Sequence, residues 1–471
     1  MDWEVKKYPM YYAGVKQVYP NIEPGSPFFS KAVSVGNLIF LAGFAGRTLE
    51  TGDVPSGDFE EQMLVALDKV RGALEEAGSS LGNLVKTLIV LRDKEHYSLM
   101  WKTLLNYYQK HAPLLVEEPP ASTVIQIASL AKSHYLVEIC AIGVVDRDKP
   151  DWEVEKYPMY YAGVKQVYPN IEPGMPFLSE SVKVGNLLFL SGATGEIPDT
   201  GKVVSGALED QMTVALGKIN TAMENAGSSM SNIIKTFHFL SKMDYSSPEA
   251  KDERAGYSPA TARMWKAELE YFDKNASFLL DEPPASTFMQ ARSPGNPECL
   301  IGIDVVGVVS RDRPGWEVKK YPLYYGQRGF PRHLGDTKMY YADSVVVGNL
   351  IFLSGKAAVS PYTGKVETDV LEEQMVLALD RLRLAMEEAG SSLSNIVHTI
   401  AMLKNLEDYP RMRKTELEYY LKHAPLLTVE PKAGMFNRPY SLATPKFLVE
   451  IDAIGVVSAV PSGLYPKENE R

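Results

Sequence analysis

The sequence has little cysteine and no long apolar run. Its 471 residues include two cysteines, Cys140 and Cys299, which is too few for a disulfide framework or a cysteine metal cluster and fits a reducing compartment. No run of about 18 apolar residues occurs, and the first residues, MDWEVKKYPM, lack the apolar core of a signal peptide. We therefore expect a soluble, cytoplasmic protein.

The chain also lacks a net positive charge. It has 59 acidic and 49 basic residues and a net charge of −10, which disfavours a broad phosphate-binding surface and a nucleic-acid partner. Glycine-rich phosphate loops are missing, and so are metal-ligand spacings among the seven histidines. The sequence predicts no cofactor, no metal, no nucleic-acid partner and no membrane partner.

One long segment is repeated. The string WEVKKYPMYYAGVKQVYPNIEPG, residues 3–25, returns at residues 152–174 with a single difference, Lys6 against Glu155. A third copy begins at Trp316 as WEVKKYPLYYG and then departs into QRGFPRHLG. The chain is one unit written three times, which predicts threefold internal symmetry. We expect a monomer of three units that can associate further.

Constant spacing between equivalent residues sets the boundaries of the repeats. Trp3 and Trp152 are 149 residues apart, whereas Pro119 and Pro283 are 164 apart, which places an insertion of 164 − 149 = 15 residues in the second unit. The insertion lies within SSPEAKDERAGYSPATAR, a polar segment with proline and glycine that predicts a surface loop. The predicted domains are repeat 1 (1–149), repeat 2 (150–313, insertion near 246–263), repeat 3 (314–460) and a tail (461–471).

Each repeat has the same order of predicted elements. Apolar runs flank Gly36-Asn37, a two-residue hairpin signal. Residues 59–77 carry an apolar stripe at helical spacing, and Gly78 follows where a left-handed helix end suits glycine. The strand NLVKTLIVL, a helix around MWKTLLNYY, and the strands STVIQIASL and YLVEICAIGVV complete an α+β unit.

This order, with the strings EEAGSSL, NLVKT, PPAS and VEICAIGVV, resembles the Rid family, the reactive intermediate deaminases also called the YjgF family. The resemblance covers roughly 115 residues of each repeat. In that family a chorismate-mutase-like α+β protomer forms a homotrimer around a barrel, with clefts at the interfaces. The resemblance implies three tandem Rid-type domains that form an intramolecular pseudo-trimer around a central β-barrel.

The resemblance also implies where the family's site residues fall. The arginine that holds a substrate carboxylate corresponds to Ser122, Ser286 and Gly434, so no repeat keeps it. A buried pair lost in this way costs about 2–5 kcal/mol, which makes ordinary imino-acid deamination a poor expectation. The other family positions are a carboxylate at Cys140, Asp304 and Asp452, a tyrosine near Phe29, Leu178 and Tyr341, and an asparagine at Trp101, Trp265 and Arg413.

Another cation is needed if the substrate is a carboxylate. The basic residues considered for this role are Lys16, Lys165, Arg328, Arg332, His333, Lys356 and Arg438. Each has the alternative of being a solvated side chain. We predict that Lys356 and Arg438 contact the substrate.

Asp304 and Asp452 are the predicted catalytic acids. They lie within the apolar strands IGIDVVGVV and VEIDAIGVV, where burial favours proton transfer; the alternative is a structural acid bonded to backbone or to a neighbouring repeat. The residues predicted to contact substrate are Ser122, Ser286, Cys140, Glu138, Glu450, Tyr341, Lys356 and Arg438. The sequence places no base beside the serines to activate them as nucleophiles.

Two functional hypotheses remain open. The first is hydrolytic or proton-transfer chemistry on a small organic substrate in clefts between repeats; the second is a non-catalytic metabolite binder or scaffold. The role of the opening segment is also open: its tyrosines and lysines either line a cleft or belong to an arm that straps adjacent repeats together.

Overall fold

The computed structural model describes residues 3–243, 258–323, 340–360 and 363–458. Repeat 1 contains β1 (Val5–Pro9), β2 (Tyr11–Tyr12), β3 (Val15–Lys16), β4 (Ser30–Val35), β5 (Leu38–Leu41), β6 (Phe44–Ala45), α1 (Phe59–Glu76), β7 (Leu84–Leu91), α2 (Tyr97–His111), α3 (Leu114–Glu117), β8 (Ala121–Gln126) and β9 (Val137–Val144).

Repeat 2 follows the same order. It contains β10 (Val154–Pro158), β11 (Tyr160–Tyr161), β12 (Val164–Lys165), β13 (Ser179–Val184), β14 (Leu187–Leu190), β15 (Ala193–Thr194), α4 (Leu208–Asn225), β16 (Ile233–Leu240), α5 (Pro259–Asn275), α6 (Phe278–Asp281), β17 (Ala285–Gln290) and β18 (Ile301–Val308).

Repeat 3 is described without the second half of its opening segment. It contains β19 (Val318–Pro322), β20 (Ala342–Val347), β21 (Leu350–Leu353), β22 (Lys356–Ala357), α7 (Leu371–Glu388), β23 (Ile396–Leu403), α8 (Tyr409–His423), α9 (Leu426–Val429), β24 (Ala433–Asn437) and β25 (Val449–Val456). The predicted elements of each repeat are confirmed.

The local signals act as expected. Val35 pairs with Leu38 across the two-residue turn, and Gly36 has φ +60°, a conformation that costs little for glycine. Helix α1 buries the predicted stripe against the sheet, and Gly78 ends it with φ +79°.

The prediction of a surface loop in repeat 2 is wrong for the C-terminal end of that segment. Ser258 caps helix α5, accepting a hydrogen bond from the Thr261 backbone N–H at 3.1 Å, and Pro259 occupies the first turn. Proline fits there because that N–H has no helical partner, so residues 259–263 are helical. The rest of the insertion (up to 257), Arg328, Arg332, His333 and the tail 461–471 lie outside the described residues.

The sheet closes on itself through one kind of contact used three times. The β8 strand of repeat 1 pairs in parallel with β13 of repeat 2 at Ala121 and Ser179. In the same way β17 pairs with β20, and β24 pairs with β4. The chain of pairings runs from repeat 1 to 2 to 3 and back to 1, which confirms the predicted central barrel. Closure leaves the barrel without free edges at these joints.

Three tryptophans meet where the repeats begin. The rings of Trp3, Trp152 and Trp316 lie edge to face with centroids 4.7–5.0 Å apart, a favourable aromatic geometry. Trp316 also lies against Gly185, and Trp3 against Gly348, so closely that a Cβ on either glycine would clash. Each tryptophan comes from a different repeat, so the cluster ties all three together.

The rest of the opening segment crosses to a neighbouring repeat. Strand β1 pairs with β4, and Phe28 then inserts its ring into the core of repeat 3, edge-on to Tyr420. The Tyr19 backbone N–H donates to the Thr428 carbonyl at 3.1 Å. In repeat 2 the equivalent Phe177 inserts into repeat 1. The segment is therefore an arm that straps adjacent repeats.

The tryptophan cluster should dominate the stability of the assembly. Trp316 is fully buried, so Trp316→Ala should lower the free energy of unfolding by about 3–5 kcal/mol, measured by urea denaturation. Tyr160→Ala is the control: this arm residue is 51% exposed, and its loss should change stability by less than about 0.5 kcal/mol. Equal effects of the two substitutions would contradict a structural role for the cluster.

Candidate functional site

The barrel interior holds two buried ion pairs that join repeats. Lys86 of repeat 1 lies 2.6 Å from Asp304 of repeat 2, and Thr123 donates to the same carboxylate. Lys235 of repeat 2 pairs in the same manner with Asp452 of repeat 3, joined by Thr287 at 2.5 Å. Both carboxylates are thus bound to a lysine and a hydroxyl, an arrangement that offsets the cost of burying charge.

The third sector of the barrel replaces this ion pair with a different couple. His398 of repeat 3 lies with Nε2 3.3 Å from the Cys140 Sγ of repeat 1. Burial lowers the pKa of His398 to about 4 and raises the pKa of Cys140 to about 12. At neutral pH this sector is therefore an uncharged imidazole and thiol.

These three couples line a cavity on the pseudo-threefold axis. Its volume is about 120 Å³ and its walls are mostly apolar. Equivalent residues from the three repeats form the lining, namely Phe40, Phe189 and Phe352, then Leu88, Phe237 and Ile400, then Ile142, Val306 and Ile454. The predicted acids Asp304 and Asp452 face this interior rather than a cleft open to solvent.

The clefts between repeats lie at the three joints of the sheet. In cleft 2–3, between repeats 2 and 3, the structure brings together Ser286, Tyr341 and Glu450, all predicted from sequence. Arg381 of helix α7 also lines this cleft. The cavity there has a volume of about 20 Å³, room for about one water molecule.

Ser286 has a histidine beside it. Its Oγ lies 3.4 Å from Nδ1 of His238 on β16, and His238 Nε2 lies 2.9 Å from Oε1 of Glu268 on α5. Ser286 and Glu268 are less than 10% exposed and His238 is fully buried. A hydroxyl, an imidazole and a carboxylate in series are the geometry of an activated serine.

Glu450 completes cleft 2–3. Burial raises the pKa of Glu450 to about 8, opposed by the charges of Lys235 and Arg381. Its Oε2 atom is buried and has no hydrogen-bond partner within the described part of the chain. At neutral pH Glu450 is therefore a protonated carboxylic acid, and its Oε2 atom is available for a hydrogen bond to a ligand.

Cleft 3–1, between repeats 3 and 1, holds the equivalent acid, Glu138. Burial raises the pKa of Glu138 to about 7, opposed by Lys69, Arg47 and Arg413. Arg47 also stacks over the Tyr12 ring at 3.6 Å, so the arm contributes an aromatic side chain here as well as strapping the repeats. The position of the family arginine is Gly434, and this cleft has no serine or histidine there.

Cleft 1–2, between repeats 1 and 2, has neither the buried glutamate nor a histidine beside its serine. Gly302 occupies the position of Glu138 and Glu450. Ser122 is buried and bonds to Thr87 at 2.7 Å, as Ser286 bonds to Thr236 at 3.0 Å. Ile89, however, stands where repeat 2 has His238, so Ser122 has no imidazole at that position.

The remaining sequence candidates lie elsewhere. Lys356 is fully buried and bound to Asp343 at 2.5 Å. Arg438 lies in a loop where repeats 1 and 3 meet, its main chain bonded to Ser129 and its Nε donating to the Lys404 carbonyl at 3.0 Å. Cys140 faces the barrel interior. Lys16 and Lys165 lie in the short hairpins of the arms.

Sequence reasoning missed His238, Glu268 and Arg381. A signal existed for Arg381, because Lys69, Lys218 and Arg381 occupy one equivalent position in the first helix of the three repeats, and a cation kept beside an apolar stripe suggests a partner. His238 gave no such signal, because the equivalent positions are Ile89 and Ala401, and Glu268 recurs as Glu416 in repeat 3, where no histidine accompanies it.

Comparison with known proteins agrees with this architecture. The profile of the endoribonuclease L-PSP family matches residues 21–145, 170–309 and 335–457. This chain belongs to the endoribonuclease L-PSP family. Within the family, a RutC family protein of Pyrococcus abyssi is 33% identical over 114 residues, 24% of this chain and 84% of the relative.

Further relatives connect this L-PSP family chain with the Rid resemblance. The 2-iminobutanoate/2-iminopropanoate deaminase of Escherichia coli K12 is 29% identical over 116 residues, 25% of this chain and 86% of the relative. The resemblance to the Rid family is confirmed. Among solved structures, a chorismatase is 11% identical, covers 79% of this chain and 93% of its own, and has a TM-score of 0.48.

Across the described ranges of this L-PSP family chain, no helix has the length and apolar character needed to cross a bilayer.

The two buried glutamates should make stability depend on pH. The pKa values of Glu138 and Glu450 in the folded chain are about 7 and about 8, above the ordinary 4.5. Between about pH 5 and 8, therefore, the folded chain still holds protons on these carboxyls that the unfolded chain has already lost. Their contribution to stability therefore falls as pH rises through this range, by up to about 1.4 kcal/mol per pH unit for each proton.

Urea denaturation of the wild type and of the Glu138→Gln/Glu450→Gln variant measures this. The variant should gain stability relative to the wild type from pH 5 to pH 8, and the difference should level off above about pH 8. A difference independent of pH would show that neither acid is shifted.

Asp452 should be more important for stability than for chemistry. Asp452→Asn leaves the Lys235 ammonium buried without its charged partner and should cost about 3–5 kcal/mol in urea denaturation. The double variant Lys235→Met/Asp452→Leu should recover most of that loss, because apolar replacements of a buried pair are often neutral. An unchanged stability in Asp452→Asn would count against the structural role.

Proposed function

We propose that this chain hydrolyses small acyl compounds in cleft 2–3, with Ser286 as the nucleophile. The observation that carries the proposal is the series Ser286, His238, Glu268, with contacts of 3.4 and 2.9 Å; Ser286 lines the cleft, and His238 and Glu268 lie buried behind it. The repeats are equivalent in fold, yet repeat 2 alone combines these three residue types at these positions.

The residues support a two-step acyl transfer. Ser286 Oγ attacks the acyl carbon and gives its proton to His238 Nδ1, while Glu268 accepts a hydrogen bond from Nε2–H and stabilises the imidazolium. The imidazolium then protonates the leaving group as its bond to the acyl carbon breaks. A water molecule, deprotonated by His238, releases the acid and restores the serine. The distance of 3.4 Å between Ser286 Oγ and His238 Nδ1 is long for a hydrogen bond, as is common for a nucleophile and its base when no ligand is bound.

Three other groups suit the charge that develops during the reaction. Arg381, Tyr341 and Glu450 line the same cavity as Ser286, and each is a hydrogen-bond donor when protonated. A buried carboxylic acid that stays neutral at pH 7 is a strong donor to an oxyanion. We assign this role to Glu450 because its Oε2 lacks a partner among the described residues.

The small cavity limits the substrate. A volume of about 20 Å³ holds about one water molecule, so even a small acyl group has to displace side chains such as Phe288 and Phe447, which line the cavity. Cleavage of RNA, which the family name implies, is poorly supported by this volume and by the net charge of −10. Imino-acid deamination, named for the Escherichia coli relative, is less well supported because cleft 2–3 lacks the family arginine.

The acid–base role of Asp304 and Asp452 stays a prediction. Their contacts with Lys86 and Lys235 favour joining of the repeats as their main role. In cleft 2–3 the proposed acid–base group is His238, Ser286 is the nucleophile, and Glu450 donates a hydrogen bond to the oxyanion.

A binding protein without turnover is the second candidate. The room for only about one water molecule in cleft 2–3 speaks against turnover there, whereas the mostly apolar barrel cavity of about 120 Å³ has space for a small ligand. The two candidates differ in whether Ser286 forms a covalent bond with an acyl or phosphonyl reagent.

Covalent labelling tests the proposal. The full chain is treated with a small methylphosphonofluoridate, which modifies activated serines, and is mapped by mass spectrometry; hydrolysis of 4-nitrophenyl acetate is followed in parallel. We expect one label per chain on Ser286, and we expect Ser286→Ala to abolish both label and turnover. Glu268→Gln should slow acylation by about 10²-fold or more because it misorients His238.

Ser122→Ala is the matched control. Ser122 has the same strand position and the same threonine neighbour but Ile89 instead of a histidine, so its loss should leave labelling and turnover unchanged. Circular dichroism and melting curves check that each variant is folded. A folded wild type without label at Ser286, or with turnover that survives Ser286→Ala, would contradict the proposal and favour the binding protein.

A further inference from the structure

One sector of the barrel cavity differs from the other two at three positions at once. Two sectors contain lysine, aspartate and threonine, as Lys86 with Asp304 and Thr123. The third contains His398 in place of the lysine and Cys140 in place of the aspartate, with a 3.3 Å contact between Sγ and Nε2. The third position, that of the threonine, is Met435.

The strand register fixes the place of Met435. Met435 pairs with Ile400 as Thr123 pairs with Leu88 and as Thr287 pairs with Phe237. Its side chain also lies against Gly43, as Thr123 lies against Gly192. The hydroxyls of Thr123 and Thr287 bond to the aspartates of their sectors, and the register puts Met435 at the equivalent position of the sector that contains Cys140.

We propose that Cys140, His398 and Met435 bind one Cu(I) ion in this sector of the barrel. Thiolate, thioether and imidazole are soft to intermediate ligands, and the two sulfur ligands favour Cu(I) over hard cations. The three residues come from two repeats, so the site exists only in the closed pseudo-trimer.

The surroundings of Cys140 suit a shared metal ion. Its Sγ lies 3.5 Å from the Leu41 carbonyl and 3.3 Å from His398 Nε2, and a bound ion would take the place of the thiol proton. With bonds of about 2.3 Å to sulfur and about 2.0 Å to nitrogen, as zinc makes, a separation of 3.3 Å between Sγ and Nε2 corresponds to an angle at the metal of about 100°. One ion can therefore contact both atoms without a large movement of either strand.

Charge decides between a monovalent and a divalent ion. Loading follows Cys–SH + Cu⁺ → Cys–S–Cu + H⁺, and the proton leaves to solvent, so the metal and its thiolate are neutral together. The sector then matches the two neutral Lys–Asp pairs beside it. A Zn²⁺ ion would leave one net positive charge in an apolar cavity, and no group of three His, Cys, Asp or Glu side chains able to hold a metal occurs among the described residues.

Metal titration tests this site in the full chain. Reduced protein is given Cu(I) without oxygen in two ways, as the folded chain and during refolding from urea, and the bound metal is measured against a colorimetric Cu(I) chelator. We expect one Cu(I) per chain, with copper–sulfur and copper–nitrogen scattering in X-ray absorption. Zn²⁺ given in the same way should be removed by a weak chelator.

The variants assign the ligands. Cys140→Ser should abolish binding, and His398→Leu and Met435→Leu should each weaken it by about tenfold or more. The control is Cys299→Ser, which removes the other cysteine and should retain one Cu(I). Melting curves without metal show whether each variant is folded. Failure of Cys299→Ser to bind Cu(I) by either route, or full binding by folded Cys140→Ser, would overturn the proposal.

Discussion

The structure depends on the parallel contact that joins each repeat to the next. Three short parallel pairings, Ala121–Ser179, Ala285–Ala342 and Ala433–Ser30, join three sheets into one closed barrel, and isolated bridges such as Ser129–Arg438 also link repeats. A short joint of this kind is weak alone. It is strengthened by the tryptophan cluster at one place and by buried ion pairs within the barrel, each of which has partners from different repeats. Stability therefore resides in the assembly rather than in a single repeat.

Fusion of three units into one chain frees equivalent positions to differ. In a homotrimer a substitution appears three times around the axis, whereas here Lys86, Lys235 and His398 are independent. Two sectors keep charged couples, and the third replaces them with a thiol and an imidazole. An isolated lysine or aspartate at one of these places would be a buried unpaired charge, so the cationic and anionic members of a couple have to change together.

The clefts have diverged in the same way. Cleft 2–3 combines Ser286, His238 and Glu450, cleft 3–1 combines Glu138 with three cations, and cleft 1–2 has a glycine where the acid would be. The arms add to this asymmetry, because Tyr12 of the first arm reaches Arg47. Three sites of common origin thus have three different chemical linings within one rigid closed sheet.

The sequence by itself determined the repeats, their elements and, through the family resemblance, the barrel. These follow from local patterns, such as a two-residue Gly-Asn turn or an apolar stripe, that act over a few residues. It also identified Ser286, Tyr341 and Glu450, which do meet in one cleft. Only the tertiary structure placed His238 beside Ser286, 48 positions apart, and Cys140 beside His398, 258 apart. Strand register and barrel closure set those contacts, and neither is encoded by neighbouring residues.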